Sequence, residues 1–436
     1  MSDPLATKGP EWRGLSLLLV STLVGSAAMT FALLAWGRWV GPRDFARYSV
    51  AYSLAGLLSI PAGYGIGSAT MRLFAQRGSS SGEVRKGRMA LSLFGIVSGL
   101  LAVAALASGS ILADHLRIER SVVTAGVVLG VATSLILFAE YVLKGTSRTG
   151  SLAWLRLFVA VSFVASMGIV LLVFPPSFLG PVAARGLPSF IAGGVVAFAI
   201  LRPAGDRGGT GADEAVGAQP EARPTTLEAG QFLRFAVGAA VASSASIFLL
   251  YVDKLVLVWV LPLREVGVYS GYFLGSYLLL ARASEVFISI LFPRAVRHER
   301  GSNDQVRRLV RMGIPIAFVV ALAGQFASLR ILGGAFGLSW SLAAMFAIGV
   351  SFFVVADARW WLVAGAEGVS GVRRFGWNAV IVVLVVAGGM LTLPRILGLH
   401  GAALTLCGAS LYSFLASGRP ALNRALEAQA DPVGPG

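Results

Sequence analysis

The sequence predicts an all-α polytopic membrane protein of about twelve transmembrane helices, arranged as two six-helix bundles in a parallel repeat around a central cleft. Hydrophobic residues make up 56% of the chain and charged residues only 13%, with a mean hydropathy of +0.77. Soluble chains average about half apolar and a quarter charged. Apolar runs near the ~20 residues that cross a bilayer recur throughout. A transmembrane β-barrel is excluded, because its segments would be ~10 residues of alternating polarity.

A repeated set of landmarks supports the two-bundle arrangement. The first copy reads Trp39-Val40-Gly41-Pro42, Tyr48-Ser49, Arg77-Gly78-Ser79 and Arg88-Met89. The second reads Trp259-Val260-Leu261-Pro262, Tyr269-Ser270, Arg300-Gly301-Ser302 and Arg311-Met312. Each copy contains the end of one apolar span, a short proline turn, a second apolar span and a basic loop. This order indicates that the second half arose by duplication of the first.

The apolar runs predict the individual spans. They are Leu15–Trp36, Phe45–Gly67, Met89–Leu112, Ser121–Leu143, Leu152–Phe174, Gly186–Leu201, Phe235–Val260, Val266–Phe292, Gly313–Leu329, Leu338–Ala364, Phe375–Leu393 and Gly401–Ser417. Residues 1–201 and 231–418 are therefore predicted as the two bundles. Residues 202–230 are rich in Gly, Pro, Ala and acids, which predicts a flexible cytoplasmic linker, and residues 419–436 are predicted as a cytoplasmic tail.

The distribution of Lys and Arg predicts orientation. The two most basic loops, 72–88 and 294–311, are repeat copies of one another and are expected on the cytoplasmic side, with both termini. An even number of spans per half inserts both halves the same way, which places a substrate site at their interface. The formal charge of +15 is explained by this bias, so no nucleic-acid partner is expected.

Several function classes lack their sequence signals. No G-x-x-x-x-G-K-[ST] phosphate loop is present, so the chain is not expected to hydrolyse ATP. His115, His298 and His400 lack metal-ligand spacing, and Cys407 is the single cysteine, so no metal site and no cofactor are expected. A membrane polymerase or ligase would need a long external loop for its chemistry, and the predicted external loops are short. We therefore expect a secondary transporter and not an enzyme.

Charged residues within the spans are the candidate functional residues. A charge at the bilayer centre costs at least ~2.5–3.5 kcal/mol, so such residues normally face a cavity or a partner. The basic ones are Arg47, Arg156, Arg234, Lys254, Arg282 and Arg359, and the acidic ones are Glu140, Asp253, Glu285 and Asp357. The basic excess favours a cavity for an anion, with the acids as candidates for ion coupling or ion pairs. Residues 47, 140, 156 and 234 lie near span ends and are expected to extend towards the headgroups.

Arg282 lies near the middle of the eighth span. It shares a helical stripe with Gly271, Gly275 and Ser289, whereas the opposite face, predicted to meet lipid, contains Phe273, Leu280, Phe287 and Leu291. Glu285 is one turn further on and is expected to be within reach of Arg282. Two interpretations stay open: Arg282 lines a cavity, or it forms a buried ion pair. The glycine pair is also a helix-packing motif.

Asp253 and Lys254 are adjacent on the seventh span and are expected to point in different directions. Asp253 shares a stripe with Ala239, Ala242 and Ser246, which predicts that it faces protein, whereas Lys254 is expected to reach towards the external side. Asp357 and Arg359 repeat the pattern in the tenth span, beside Trp360 and Trp361, which we interpret as part of an interfacial aromatic belt.

Several of these segments resemble the Wzx-type polysaccharide flippases of the multidrug/oligosaccharidyl-lipid/polysaccharide exporter superfamily. They are Gly41-Pro42-Arg43-Asp44-Phe45-Ala46-Arg47-Tyr48, Gly63-Tyr64-Gly65-Ile66-Gly67, Tyr251-Val252-Asp253-Lys254, Val266-Gly267-Val268-Tyr269 and Leu291-Phe292-Pro293-Arg294. The resemblance extends over nearly the whole chain and includes twelve helices in two bundles. Tyr64 departs from the pattern, because family members commonly have an acid there.

The resemblance implies translocation of a polyprenyl-pyrophosphate-linked oligosaccharide across the bacterial inner membrane for surface polysaccharide (O-antigen or exopolysaccharide) synthesis. The implied partners are this lipid-linked oligosaccharide, membrane lipids and the polymerase or glycosyltransferase machinery. Multidrug-extrusion antiporters and lipid II flippases of the same superfamily are the alternatives. The former often carry an acid in the first span, which Leu15–Trp36 lacks, and the latter usually have fourteen spans.

Overall fold

Each half of the chain begins with a long helical segment that breaks at a proline. The computed structural model describes residues 10–75, 80–146, 148–201, 226–278, 280–281, 284–285, 288, 302–367 and 369–418. In the first half the break lies at Gly41, whose φ of 79° is a conformation that favours glycine, followed by Pro42. In the second half it lies at Leu261 and Pro262, both extended. The two breaks occupy equivalent repeat positions.

The described secondary structure is helical throughout. The elements of the first half are α1 Pro10–Ser59, a π-helical turn Ile60–Ile66, α2 Gly67–Ala75, α3 Ser80–Ala107, α4 Gly109–Leu116, α5 Arg120–Gly145, α6 Thr149–Val173 and α7 Leu179–Leu201. Those of the second half are α8 Thr226–Ile247, a π-helical turn Phe248–Val252, α9 Asp253–Val260, α10 Leu263–Phe273, a π-helical turn Leu274–Leu278, α11 Ser302–Leu332, a 3₁₀ turn Gly334–Phe336, α12 Trp340–Glu367, α13 Val369–Leu397 and α14 Leu399–Ala416.

The helix lengths agree with about twelve crossings. Among the described residues, nine helices are long and apolar enough to cross a membrane, and a tenth crossing is the pair 230–244 and 248–260, bent by 44°. One of the nine, Leu17–Phe74, is 58 residues long and accommodates the first two predicted spans. The eighth predicted span is described only in part. The all-α, multi-pass membrane prediction is confirmed.

The first lobe, residues 10–201, packs through glycines that allow close helix contacts. A Cβ at Gly126 of α5 would lie 2.8 Å from Leu54 of α1, and one at Gly145 would lie 2.7 Å from the carbonyl oxygen of Met71 in α2. The helix α5 therefore runs parallel to α2 and to the part of α1 that follows the break at Gly41. Gly25 likewise abuts Ala160 of α6. The second and fourth predicted spans are thus parallel, as alternating membrane crossings require. We call the end at which α1 begins the N-terminal face.

The second lobe, residues 226–418, uses the same principle. Gly271 abuts Leu332 and Phe336, and Gly275 abuts Ser328, so the predicted glycine motif packs α10 and the following π-helical turn against α11. The face opposite these glycines was expected to meet lipid. That expectation is wrong for Phe273 and Leu280, which are buried, because helices cover both sides of this span. Phe287 and Leu291 lie outside the described residues.

The two lobes meet along the second and seventh predicted spans. Gly56 contacts the ring of Tyr251, and near the face opposite the N-terminal one Gly267 abuts the Pro42 carbonyl oxygen. Near the N-terminal face, the Arg72 guanidinium lies 4.6 Å from the centre of the Phe235 ring. Aromatic rings also cross the interface, since those of Tyr52 and Tyr251 are 5.5 Å apart.

Two further expectations are corrected. Trp360 and Trp361 are buried and pack on the ring of Phe375, stacked in the first case and edge-on in the second, so they belong to the core and not to an interfacial belt. The predicted linker ends before residue 230, because α8 already begins at Thr226. Residues 202–225 and the predicted tail 419–436 lie outside the described residues.

Candidate substrate cavity

An open cavity lies in the first lobe, with Tyr251 of the second lobe at its border, and the empty space in and in front of it totals about 1020 Å³, open solvent included. It is enclosed by α1, α5, α6 and α7, with the π-helical turn after α1 at its wall. Its lining combines hydroxyl groups, three charged side chains, aromatic rings and aliphatic surface. The hydroxyl-bearing residues are Ser21, Thr22, Ser26, Thr30, Thr133, Ser189, Tyr52, Tyr64 and Tyr251, and the charged ones are Glu140, Arg156 and Arg185.

A charged cluster forms the end of this cavity towards the N-terminal face. The Arg156 guanidinium donates to the Glu140 carboxylate at 2.5 Å and to the Thr22 hydroxyl at 2.8 Å. Lys144, one turn beyond Glu140 on α5, is 3.5 Å from the same carboxylate. These side chains are only 8–10% exposed. The expectation that Glu140 and Arg156 extend towards headgroups is therefore wrong, because surrounding helices bury them and they satisfy each other.

A second guanidinium lies in the part of the cavity farther from the N-terminal face. Arg185 of α7 donates to the Tyr52 hydroxyl at 2.9 Å, and its guanidinium carbon lies 4.5 Å from the centre of the same ring. Tyr52 in turn contacts Tyr251 of the second lobe edge-on. The cavity therefore has one guanidinium group near each end. Beside the Arg185 guanidinium, it also borders on the second lobe.

The charged cluster at the N-terminal end of the cavity also contacts the second lobe. Glu285 of the eighth span lies 3.7 Å from the Arg156 guanidinium, so one arginine contacts carboxylates of both lobes. A second cavity lies at this junction. It is lined by Tyr64, Met71, Leu137, Tyr141, Lys144, Ser243, Ile247, Leu250, Ala281, Glu285, Ile288, Phe353, Asp357 and Trp361. Tyr64 and Leu137 line both cavities. The two spaces are thus neighbours, separated by the charged cluster.

Asp253 and Lys254 form a separate buried group. The Lys254 ammonium lies 3.0 Å from both Asp253 oxygens, donates to the Leu250 carbonyl at 3.1 Å and sits 3.3 Å from the centre of the Phe273 ring. The Tyr269 hydroxyl donates to Asp253 at 2.6 Å. The expectation that these neighbours are not partners, and that Lys254 reaches outwards, is wrong. Burial removes water, and the long lysine chain folds back to the nearest anion.

The remaining candidates are dispersed. Arg47 pairs with Asp44 at 2.7 Å and with Glu119, next to the Gly41 turn. Arg234 is exposed, as expected for a residue that extends towards headgroups. Asp357 accepts a hydrogen bond from Ser284 at 2.8 Å. Arg359 is buried, with its guanidinium 4.7 Å from the centre of the Phe414 ring.

Arg282 lies outside the described residues, so neither interpretation of it is decided. Its neighbour Glu285, expected to pair with it, contacts Arg156. Asp253, with Ala239 and Ala242, is buried as the stripe predicted.

Arg185 and the hydroxyl groups are the lining residues that the sequence reasoning missed. The sixth span was predicted to begin at Gly186, which left Arg185 in a loop, whereas α7 begins at Leu179. Pro181 lies in the first turn of α7, where a proline costs a helix little. The recurrence of Ser and Thr in the first span was the available signal, because Ser21, Thr22, Ser26 and Thr30 fall at helical spacing on one face.

Comparison with known proteins identifies the family. A family model described as "Polysaccharide biosynthesis protein" matches residues 12–299, about two thirds of the chain. The chain belongs to this family. No curated protein sequence is similar to it.

Solved structures share its fold. A MOP-superfamily transporter from Pyrococcus furiosus, described as having a binding pocket of reverse polarity, superposes with a TM-score of 0.63 over 98% of both chains at 16% identity. A multidrug-resistance MATE-family transporter of the same superfamily superposes in its outward-facing form with a TM-score of 0.61 over 98% of both chains at 14% identity. A multidrug-resistance MATE-family transporter in an inward-facing conformation gives a TM-score of 0.59 over 94% of this chain and 99% of that one, at 14% identity. At these identities the likeness establishes the fold alone.

Proposed function

We propose that this family member is a flippase, which moves a polyprenyl-pyrophosphate-linked oligosaccharide from the inner to the outer leaflet of the bacterial cytoplasmic membrane by alternating access. Both termini would then be cytoplasmic, and the product would feed polymerase or glycosyltransferase machinery. The observation that carries the proposal is the first-lobe cavity, which combines two guanidinium groups with many hydroxyls. The N-terminal face, with the charged cluster, corresponds to the predicted cytoplasmic side.

The chemistry of the cavity suits this substrate. Each unpaired polar group moved through hydrocarbon costs several kcal/mol, so sugar hydroxyls and phosphates need a polar route. Ser, Thr and Tyr hydroxyls both donate and accept, which suits the hydroxyls of a glycan. The forked donors of Arg156 and Arg185 suit pyrophosphate oxygens. The polyprenyl tail would remain in lipid while the headgroup crosses.

The shared arginine offers a means to couple binding to movement. In the structure, the Arg156 guanidinium forms ion pairs with Glu140 of the first lobe and with Glu285 of the second. A pyrophosphate would compete for the same donors and displace the more distant carboxylate, Glu285, first. Loss of this contact frees the two lobes at the cytoplasmic end. A substrate can shift the equilibrium only by such differential contacts.

The membrane potential would act in the same direction. With the cell interior negative, outward movement of each negative charge gains ~2.3 kcal/mol per 100 mV. The protein would then need no ATP site. Asp253, Glu285, Asp357 and Glu140 stay candidates for ion coupling or for structural ion pairs.

Complementation tests the proposal. In a strain that lacks its own O-antigen flippase, the wild-type chain is expected to restore surface polysaccharide and Arg185→Ala to lose most of it. Arg330→Ala, an exposed arginine of the second lobe, is the matched control and should behave as wild type. Membrane insertion is checked for each variant.

Two results would contradict the proposal. One is an inserted wild-type chain that fails to flip several lipid-linked oligosaccharides in proteoliposomes but exports organic cations. The other is an Arg185→Ala variant with wild-type flipping. Selective flipping of lipid II would point to the lipid II flippase alternative.

A further inference from the structure

A groove on the outer surface of the second lobe lies between residues 234–241 of α8 and residues 372–380 of α13. It is open to the side and is lined by Arg234, Phe235, Gly238, Val241, Val372, Arg373, Gly376, Trp377 and Val380. It is distinct from both cavities described above, with which it shares no lining residue. We propose that this groove binds an anionic phospholipid of the cytoplasmic leaflet.

Reciprocal glycines create the groove. A Cβ at Gly238 would lie 2.9 Å from Val372, and one at Gly376 would lie 3.3 Å from Val241. The two helices therefore approach closely and in parallel, and a strip without large side chains is left along their contact. Trp377, 67% exposed, stands beside it. The strip is open to the side and offers apolar surface of the kind that acyl chains contact.

The rim of the groove is cationic. Arg234 and Arg373 are both exposed, and neither forms an ion pair with another described residue. The adjacent Arg374 differs, because its guanidinium pairs with Glu367 at 3.0 Å. Two guanidinium groups are therefore left to attract an anion.

The depth of these groups in the membrane identifies the occupant. The membrane-crossing parts of α8 and α13 begin at Gly230 and Ser370, at the N-terminal face. Arg234 and Arg373 each lie about one turn inside these starts, and the apolar wall of the groove extends from them further into the bilayer. This geometry matches a phospholipid, with its phosphate at the rim and its acyl chains in the groove. Basic residues at the membrane surface attract anionic lipid by about 1 kcal/mol each, and zwitterionic lipid offers no comparable net charge. The proposal does not depend on what the protein transports.

Lipid retention measured by native mass spectrometry tests this site. The purified full chain is titrated with phosphatidylglycerol or with phosphatidylcholine of identical acyl chains. Wild type is expected to prefer phosphatidylglycerol, and the double variant Arg234→Gln/Arg373→Gln to lose about fivefold of that preference per guanidinium. Arg234→Lys/Arg373→Lys should retain most of it. Arg395→Gln, at the far end of α13, is the matched control, and thermal unfolding confirms that each variant is folded.

Three outcomes would overturn the proposal. The first is a folded double Gln variant with the wild-type preference. The second is equal retention of the two phospholipids by wild type. The third is displacement of phosphatidylglycerol by inorganic phosphate or by a stoichiometric amount of polyprenyl phosphate, which would assign the groove to a bare anion or to the substrate tail.

Discussion

The interiors of the two lobes differ although the lobes are repeats. In the first lobe, Tyr48 and Tyr52 stack on one face of the second span, and Gly56 follows one turn later. In the second lobe the same spacing places Tyr269, Phe273 and Tyr277 in a continuous buried stack. Phe346 and Phe353 of α12 pack against this stack.

The difference decides where the cavity lies. Aromatic rings fill the interior of the second lobe, and the Tyr277 hydroxyl is 3.2 Å from that of Ser410. In the first lobe α5 occupies the place of α12 and presents Thr133 and Glu140 to an open space. The two repeats therefore differ in how their interiors are filled, with packed rings in the second and polar surface in the first. We interpret the second lobe as the rigid partner against which the first one moves.

The largest effect is expected for Arg156→Ala. Removal of Arg156 takes away the shortest ion pair of the buried Glu140 carboxylate and leaves the longer one with Lys144 at 3.5 Å, so the cost in the free energy of unfolding is expected near the lower end of ~3–5 kcal/mol, and transport should be lost. Arg156→Met combined with Glu140→Met should recover only part of that stability, because a well-packed apolar pair replaces the two ions but Lys144 loses its carboxylate partner. Thermal unfolding and complementation measure the two properties. Recovery of transport in the double variant would show that the pair is structural only.

Phe346→Ala is expected to destabilise the protein nearly as much while sparing transport. Truncation of a buried phenylalanine typically lowers the free energy of unfolding by ~3–5 kcal/mol, because the neighbouring side chains only partly fill the void that the ring leaves. The variant is assayed at low temperature, where it remains folded, and its flipping rate is compared with that of wild type. A rate that falls while the fold is intact would contradict the idea that the second lobe has only a packing role here.

Gly267→Ala should have an intermediate effect. The added Cβ would lie 1.9 Å from the Pro42 carbonyl oxygen, so the lobes must separate locally, at a cost of ~1–3 kcal/mol. Ala46 is the repeat counterpart, is buried, and already has a Cβ, so Ala46→Gly is the control. Thermal unfolding of both variants compares the effect of a methyl group added at position 267 with that of one removed at position 46. Equal melting temperatures for Gly267→Ala and wild type would show that the contact yields easily.

Ser26→Phe should have the smallest effect on stability and a large one on transport. The new ring enters the open first-lobe cavity, so the free energy of unfolding should change by no more than about 0.5–1 kcal/mol. Flipping should fall at least about tenfold, because the headgroup loses its space. Thr124→Phe, on the exposed face of α5, is the control. A Ser26→Phe variant with wild-type flipping would place the substrate path elsewhere.

Several features were predictable because they depend on local sequence. The crossings follow from apolar length, and the break at Gly41-Pro42 follows from turn chemistry. The protein-facing position of Asp253 follows from its helical stripe. The start of α7 was predicted at Gly186 and lies at Leu179, and for that reason Arg185 was missed. Trp360 and Trp361 of α12 were wrongly predicted to lie at a membrane interface, because the prediction considered their residue type and not the neighbours that bury them.

The sequence by itself determined that the chain crosses the membrane many times as a duplicated helical bundle, because hydrophobic length and internal similarity are properties of the chain alone. Only the tertiary structure decided which charges meet. Arg156 contacts Glu140 and Glu285 from different helices and different lobes, and no periodicity along one span encodes such a contact. The position of the cavity was likewise decided in three dimensions, because it depends on whether aromatic rings of several helices converge or leave a space.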